Sequence, residues 1–477
     1  MPIAKMNKTT VRKLIVIGAG LHFRERHFKV LDEIKSSHEI SIELVIDLKC
    51  EQQKILAYFA NKSLKPNSYL FLPESNRNNI SIEDLDYLVG SKIKIQDVDG
   101  VIICTEPKVH KLYTLWSIKN NLDIFCDKPL SAFSSHKKMH LLYSDYLEIA
   151  QRIKTKNVNF VLCCERRGHF GYEFIMNYIA DMIKQFRVPI TFIDIHHGGG
   201  LWHMPDEYFK RENHPYKYGY GIILHSGYHY IDLLINLIKL NNSVVNLSVN
   251  ECELHVLATT PYNSFNIINN ETYASLVNTD RFAQYFSTES IEKMKYFGET
   301  NTIISGRFKN GDQVVTNFSL KLIELSVSTR NWHVLPENTY LENGRMHQEN
   351  IIIHLGPLCS IHIRINPYKA MSSMDYDIED FTVDIMNNSK IVGKEAIISI
   401  NRSDISKLYP NLLPSDSLNI KSRRWQLIEF LHGRQANSGI ESHKDSIKFL
   451  DRIYCEIQNQ SMITMTKGAE KLPHEYS

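Results

Sequence analysis

Apolar and polar positions follow two different rhythms along this chain, and the change of rhythm divides it. Through about the first 130 residues, short β-branched runs are followed by stretches with apolar side chains at helical intervals, the pattern of parallel strand-helix-strand units. Lys13 to Ile17 reads as a strand buried on both faces of a parallel sheet, Phe28 to Ile34 as a helix, and Ile42 to Ile46 as a second strand with Asp47 at its carboxyl end. Gly100 to Cys104 is a further strand that ends in Thr105-Glu106-Pro107. A helix from about Val109 leads to the strand Asp123 to Cys126, which runs into Asp127-Lys128-Pro129.

Beyond about residue 155 the strands become longer and more alternating. Val158 to Cys164, Ile190 to Ile195, Asn246 to His255, Thr302 to Phe308, Gln313 to Leu322 and Ile351 to His354 predict a largely antiparallel sheet. Between them, His196 to His229 is polar, aromatic and rich in histidine, a composition suited to site-bearing loops. Trp425, Ile428 and Leu431, then Ile447, Leu450 and Ile453, predict two closing helices. The expected fold class is α/β: a parallel-sheet domain (residues 1–155), an α+β domain with a large, mostly antiparallel open sheet (156–420), and helices that pack back on the body (421–477).

Composition narrows the function classes. The 477 residues are 43% hydrophobic and 23% charged, with a formal charge of +2, as in an ordinary globular protein with no global pull toward nucleic acid or anionic lipid. The eight cysteines show no C-x-x-C spacing and read as buried thiols. Met1 to Lys13 lacks the form of a secretory signal, and Tyr230 to Leu240 is interrupted by Asp232 and Asn236 and falls short of the roughly 20 residues a membrane span needs. The expectation is a cytoplasmic protein with no membrane or nucleic-acid partner.

Three segments carry candidate chemistry. Gly18-Ala19-Gly20, directly after a strand and before a helix, suits a dinucleotide pyrophosphate, because glycine admits close backbone approach and the helix start offers free N–H groups. Phe23 stands where a third glycine would complete the fingerprint. Asp47, 27 residues after Gly20, either accepts hydrogen bonds from a ribose diol, which favours NAD over NADP, or is a solvated strand-end carboxylate. Lys128 is either catalytic or an ordinary surface cation. In the third segment, Gly219 to Asp232, the residues His225, His229 and Asp232 fall on one helical face. The His225-x-x-x-His229 spacing also suits a metal, but no accompanying H-E-x-x-H glutamate is present, and no metal site is expected.

These segments, in this order, resemble the Gfo/Idh/MocA oxidoreductases: Gly18-Ala-Gly20 with Arg24 and His27, Asp99 to His110, Asp127-Lys128-Pro129-Leu130, Gly219 to Asp232, and the closing Phe430 to Gly433 and Ser438 to Ile447. The resemblance implies a Rossmann domain, a second α/β domain whose open sheet mediates homo-dimers or homo-tetramers, and a polyhydroxylated small-molecule substrate. It places the catalytic site at Lys128 and His229. Cofactor contacts would fall at Gly18, Gly20, His22, Phe23, Arg24 and Asp47, and again at Thr105, Glu106, Pro107, His110, Asp127 and Lys128. The cofactor would be NAD, with NADP possible. Substrate contacts would come from Arg166, Tyr218, His225 and Asp232. In the implied chemistry His229 exchanges the proton of a substrate hydroxyl while its hydride passes to nicotinamide, and Lys128 hydrogen-bonds the same oxygen.

Two departures stand out. Asp127 replaces the family's glutamate, and His225 replaces the aspartate that would orient a substrate hydroxyl. The rival expectation is a catalytically silent member that binds a dinucleotide or sugar in a regulatory or scaffolding role. Glu251 to Met346 exceeds what a minimal member needs.

Overall fold

Side chains in strand β1 (Arg12–Ile17) separate into two apolar layers: Leu14 and Val16 join one buried cluster, Ile15 and Ile17 the other. Alternate residues of a strand point to opposite faces, so the strand lies between two layers of helices. In this computed structural model, which describes residues 12–35, 39–77, 79–211, 214–244, 247–328, 330, 346–366, 380–408 and 417–466, five more strands join it. They are β2 (Ile40–Leu48), β3 (Tyr69–Leu72), β4 (Gly100–Ile103), β5 (Asp123–Asp127) and β6 (Phe160–Cys163). The order is β3-β2-β1-β4-β5-β6 and every pairing is parallel. The order in which strands are added reverses between β1 and β4, which opens a ligand crevice at their carboxyl ends.

One expectation is corrected here. Phe160–Cys163, expected in the antiparallel sheet, is the sixth strand of the parallel one: it is buried along its whole length and pairs with β5. Its outer edge is partly closed by Leu162 N–H donating to Ser438 O at 3.0 Å.

The second sheet has eight strands: β7 (Phe192–Gly198), β8 (Glu251–Thr259), β9 (Asn301–Asn310), β10 (Gln313–Ile323), β11 (Gln348–Leu355), β12 (Cys359–Asn366), β13 (Asp380–Asn387) and β14 (Ile397–Asn401). Their order is β14-β13-β12-β11-β7-β10-β9-β8, antiparallel except for β7 with β10. Its inner face carries Ile193, Leu320, Ile351, Ile361 and Val383, all fully buried in one cluster with Ile179 and Ile231 of the helices Phe170–Phe186 and Tyr228–Leu240. The strand expected from Asn246 begins at Glu251, and Asn246 itself lies outside the described residues.

The long segment after β8 has a visible task. Phe265, Met294 and Phe297 pack with Tyr208 and Tyr216 in a separate small core, so this excursion supports the histidine-rich stretch from behind. Gly298 and Gly221 meet backbone to backbone, where a Cβ on either would lie 2.2 Å from the other strand of chain. The helix Leu418–Leu431 returns to the first domain, and Lys444–Thr466 packs on the helices Leu142–Lys156 and Tyr228–Leu240 and on β8. Among the described residues no helix is long and apolar enough to cross a membrane. All eight cysteines are thiols, but Cys50 is exposed, against the expectation of burial.

Candidate active site

A cleft of about 650 Å3 runs from the Gly18 turn along the carboxyl ends of the parallel strands to the inner end of the second domain. Its first part is shaped for a dinucleotide. Gly18 has φ +86°, and a Cβ there would lie 2.7 Å from Cys104 O, so only glycine fits. A Cβ on Gly20 would enter open space, which leaves the backbone accessible to a ligand. Asp47 braces the turn from β2: its Oδ2 accepts Ala19 N–H at 2.7 Å and its Oδ1 accepts Leu48 N–H at 2.7 Å. Burial pushes the Asp47 carboxyl up. The residues at this end therefore fit an adenine dinucleotide, with Gly18 and Gly20 at the pyrophosphate and Asp47 at a ribose.

At the middle of the cleft stands Asp127. His27 Nε2 lies 3.0 Å from its Oδ1 and His22 Nε2 lies 3.5 Å from its Oδ2. Burial raises the Asp127 carboxyl, but the two imidazoles outweigh it and hold the group well below the usual carboxylate range. These three donors lie within 4.8 Å of one another, and among the described residues this is where groups of three metal-ligating side chains converge, rather than at His225 and His229. Burial carries His22 down to about 3, against the pull of Asp127 in the other direction.

Lys128 follows at the end of β5, through a cis peptide to Pro129, and its Nζ donates to the carbonyl oxygens of Leu224 and His225. Those carbonyls belong to a π-helical turn, Ile223–Gly227, that opens the helix Tyr228–Leu240. One turn on, His229 is 5% exposed and lines the same cleft. Its Nε2 is 3.9 Å from Glu165 Oε2 and its Nδ1 is 3.4 Å from the Cys164 thiol. Arg166 is anchored by Glu165, Glu349, Asn419 and Tyr230 and also lines the cleft. Burial, then His214, Lys128 and Arg211, hold His225 well below the ordinary imidazole value.

The expected site residues divide by location. Gly18, Gly20, His22 and Asp47 line the cleft, followed by Thr105, Glu106, Pro107, Asp127 and Lys128, and across from them Arg166, His225 and His229. Five others do not. Phe23 is fully buried in the core under the turn. Arg24 packs over the Tyr58 ring, 5.3 Å from its centroid. His110 sits beneath the floor, with Nδ1 and Nε2 at 2.7 and 3.0 Å from the carbonyls of Pro129 and Thr105. Tyr218 carries the Lys108 ammonium 4.0 Å above its ring. Asp232, expected to touch substrate, is fully buried, where Arg167 donates to both of its oxygens at 2.7 Å and Ser446 Oγ donates at 2.7 Å.

Sequence reasoning missed Glu165, which holds Arg423 and Arg166, and Arg423 itself, which reaches the cleft from a helix expected only to pack. His197, inside the stretch expected to bear the site, lines the cleft with its Nε2 2.8 Å from Ser226 Oγ. The nearest signal was the density of histidine between 196 and 229.

A parallel six-stranded sheet with this glycine turn defines a dinucleotide-binding Rossmann domain. Residues 12–143 match the family described as oxidoreductase family, NAD-binding Rossmann fold, GFO_IDH_MocA. The amino-terminal domain is thus a Rossmann domain of the NAD-binding Gfo/Idh/MocA type. No curated protein matches it significantly by sequence. Similar solved structures include levoglucosan dehydrogenase in complex with NADH and levoglucosan (11% identity, TM-score 0.55, 94% of this chain and 98% of that one). Aldose-aldose oxidoreductase from Caulobacter crescentus, complexed with glycerol, shows 11% identity and TM-score 0.52 over 94% and 98% of the two chains. The WlbA dehydrogenase from Chromobacterium violaceum, with NADH and UDP-GlcNAcA, shows 12% identity and TM-score 0.54 over 96% and 97%. At these identities the likeness is one of fold.

Proposed function

We propose that the protein is a dehydrogenase or reductase that moves a hydride between NAD and a hydroxyl or keto carbon of a sugar, cyclitol or sugar-like metabolite. The observation that carries this reading is that Lys128 of the first domain and His229 of the second line one cleft continuous with the Gly18 turn. Bound NAD supplies the hydride acceptor or donor at nicotinamide C4. His229 takes the hydroxyl proton at Nε2, a task suited to an imidazole because its ordinary pKa is near 6.5. The Glu165 carboxylate, 3.9 Å away, favours the positive charge that results. Lys128, held at the carbonyls of Leu224 and His225, places an ammonium group where negative charge develops on the substrate oxygen. The sugar ligands of the similar solved structures support this substrate class.

The reading includes a cytoplasmic homo-dimer or homo-tetramer assembled on the outer face of the eight-stranded sheet. Leu257 and Ile303 are cross-strand neighbours there, 66% and 42% exposed. Light scattering tests the assembly. The activity is tested by offering NAD with a panel of sugars and polyols and following absorbance of reduced nicotinamide, for the wild type and Lys128→Ala. Turnover that Lys128→Ala lowers by about 10²–10³ supports the reading. Undiminished turnover removes the lysine from the mechanism, and NAD binding without turnover across the panel favours a silent, regulatory binder.

A further inference from the structure

We propose that the substrate carries an oxyanion, a carboxylate or a phosphate, received by His225, His214 and Arg211; this rests on the dehydrogenase reading above. The composition of one wall carries the inference. Among the described residues that line the second-domain part of the cleft, three are arginines and six are histidines, and Glu165 alone is acidic. That carboxylate is already engaged by Arg423 and Arg166. Every hydroxyl of a neutral polyol donates as well as accepts, so it needs acceptors around it. The three arginines offer none and the one carboxylate is already engaged, whereas an oxyanion only accepts and matches these donors.

The local arrangement at His225 points the same way. Its Nε2 is buried and has no hydrogen-bond partner among the described residues. The rings of His214 and Tyr216 stand 4.5 and 4.9 Å from its ring, centroid to centroid. Arg211 Nη1 lies 3.2 Å from His203 Nδ1, and the acidic partners of His203 are Glu324 at Nε2 and Glu207 at Nδ1. The groups that act on His225 besides burial are His214, Lys128, Arg211 and His203, all of them positive or able to become so. A bound anion completes this set, while Lys128 Nζ holds the His225 carbonyl.

The test is calorimetric titration of the NADH-loaded protein with D-galacturonate and D-glucose 6-phosphate, each against its neutral parent, D-galactose and D-glucose. At least one acid is expected to bind roughly tenfold or more tightly than its parent, the scale of one charge-assisted hydrogen bond, and which acid does so separates carboxylate from phosphate. His225→Asp and Arg211→Ala should each remove that preference, with NADH fluorescence as the control for folding. Equal binding of acid and parent, failure of both acids to bind, or variants that keep the preference overturns the proposal. The dehydrogenase reading fails differently: an acid that binds preferentially but is never oxidised or reduced with the nicotinamide cofactor sinks that reading and leaves the anion site standing.

Discussion

Cys164 Sγ stands 3.4 Å from His229 Nδ1 and links that imidazole to a buried charge, because the same thiol donates to Asp232 Oδ2 at 3.5 Å. Burial and Asp232 push the Cys164 thiol up, so it stays protonated and keeps its hydrogen for the carboxylate. Its sulfur then accepts from Nδ1–H, which leaves the Nε2 lone pair for the substrate proton. Asp232 thus acts through a thiol from behind the cleft. Cys164→Ala should lower kcat by roughly fivefold to tenfold, the worth of one modest hydrogen bond, and displace the pH-rate profile. Cys164→Ser, which keeps a donor and an acceptor, should restore most of both. A profile that does not move in Cys164→Ala would leave the thiol a packing role only.

Lys128→Ala removes the ammonium group but leaves Asp47 and the Gly18 turn untouched. The expected result is a fall in kcat of about 10²–10³, as for loss of one preorganised donor, with NADH affinity nearly unchanged by fluorescence titration.

Asp47 places a carboxylate against the Gly18-Ala19 turn, where it would meet a ribose diol and repel a 2′-phosphate. Asp47→Ser should weaken NADH binding by about tenfold through loss of charge-assisted hydrogen bonds and narrow the gap between NADH and NADPH. Titration with both cofactors measures each part, and an unchanged gap removes Asp47 from cofactor choice.

Glu299 gives stability a pH dependence. It is buried where its Oε1 accepts Ile223 N–H at 2.9 Å, and burial pushes its carboxyl up to about 7. Its value in the unfolded chain is near 4.3, so the folded state prefers the protonated acid. The contribution is full below about pH 4 and declines as pH rises toward 7, by on the order of 3 kcal/mol. Glu299→Gln mimics the protonated form; its melting temperature should exceed the wild type's at pH 8 and the difference should shrink at pH 4. A constant difference would place the effect elsewhere.

How much of this was legible in the sequence depended on how local each cause is. The Gly18 turn and the run from Lys13 to Ile17 answer to their immediate neighbours, and both stand where the pattern puts them. The three strands β12 to β14 escaped notice, although Ile361, Ile363 and Ile365 alternate with Ser360, His362 and Arg364 inside β12. Most of the expected site residues line the cleft, and those that do not were drawn away by partners distant in sequence or by burial. Asp232 lies on the expected helix, but its role is set by Arg167 and Ser446, distant in sequence, which draw it behind the cleft. His110 is drawn under the floor by two carbonyls in the same way. His225 and His229 reached the cleft because their helix enters it through the π-helical turn at Ile223–Gly227.

Leu427, Phe430 and Leu431 belong to the same buried cluster as Leu14, Val16, Phe125 and Val161, and Arg12 Nε donates to Leu431 O at 2.9 Å. Part of one layer of the first domain is therefore supplied by residues made late. During synthesis at about 5–20 residues per second, the ribosome finishes β6 roughly 15–50 s before it delivers this helix. For that interval the apolar side chains of Phe125 and Val161 wait for the helix that completes their layer, while Phe28, Leu31 and Phe59 already cover the rest of it.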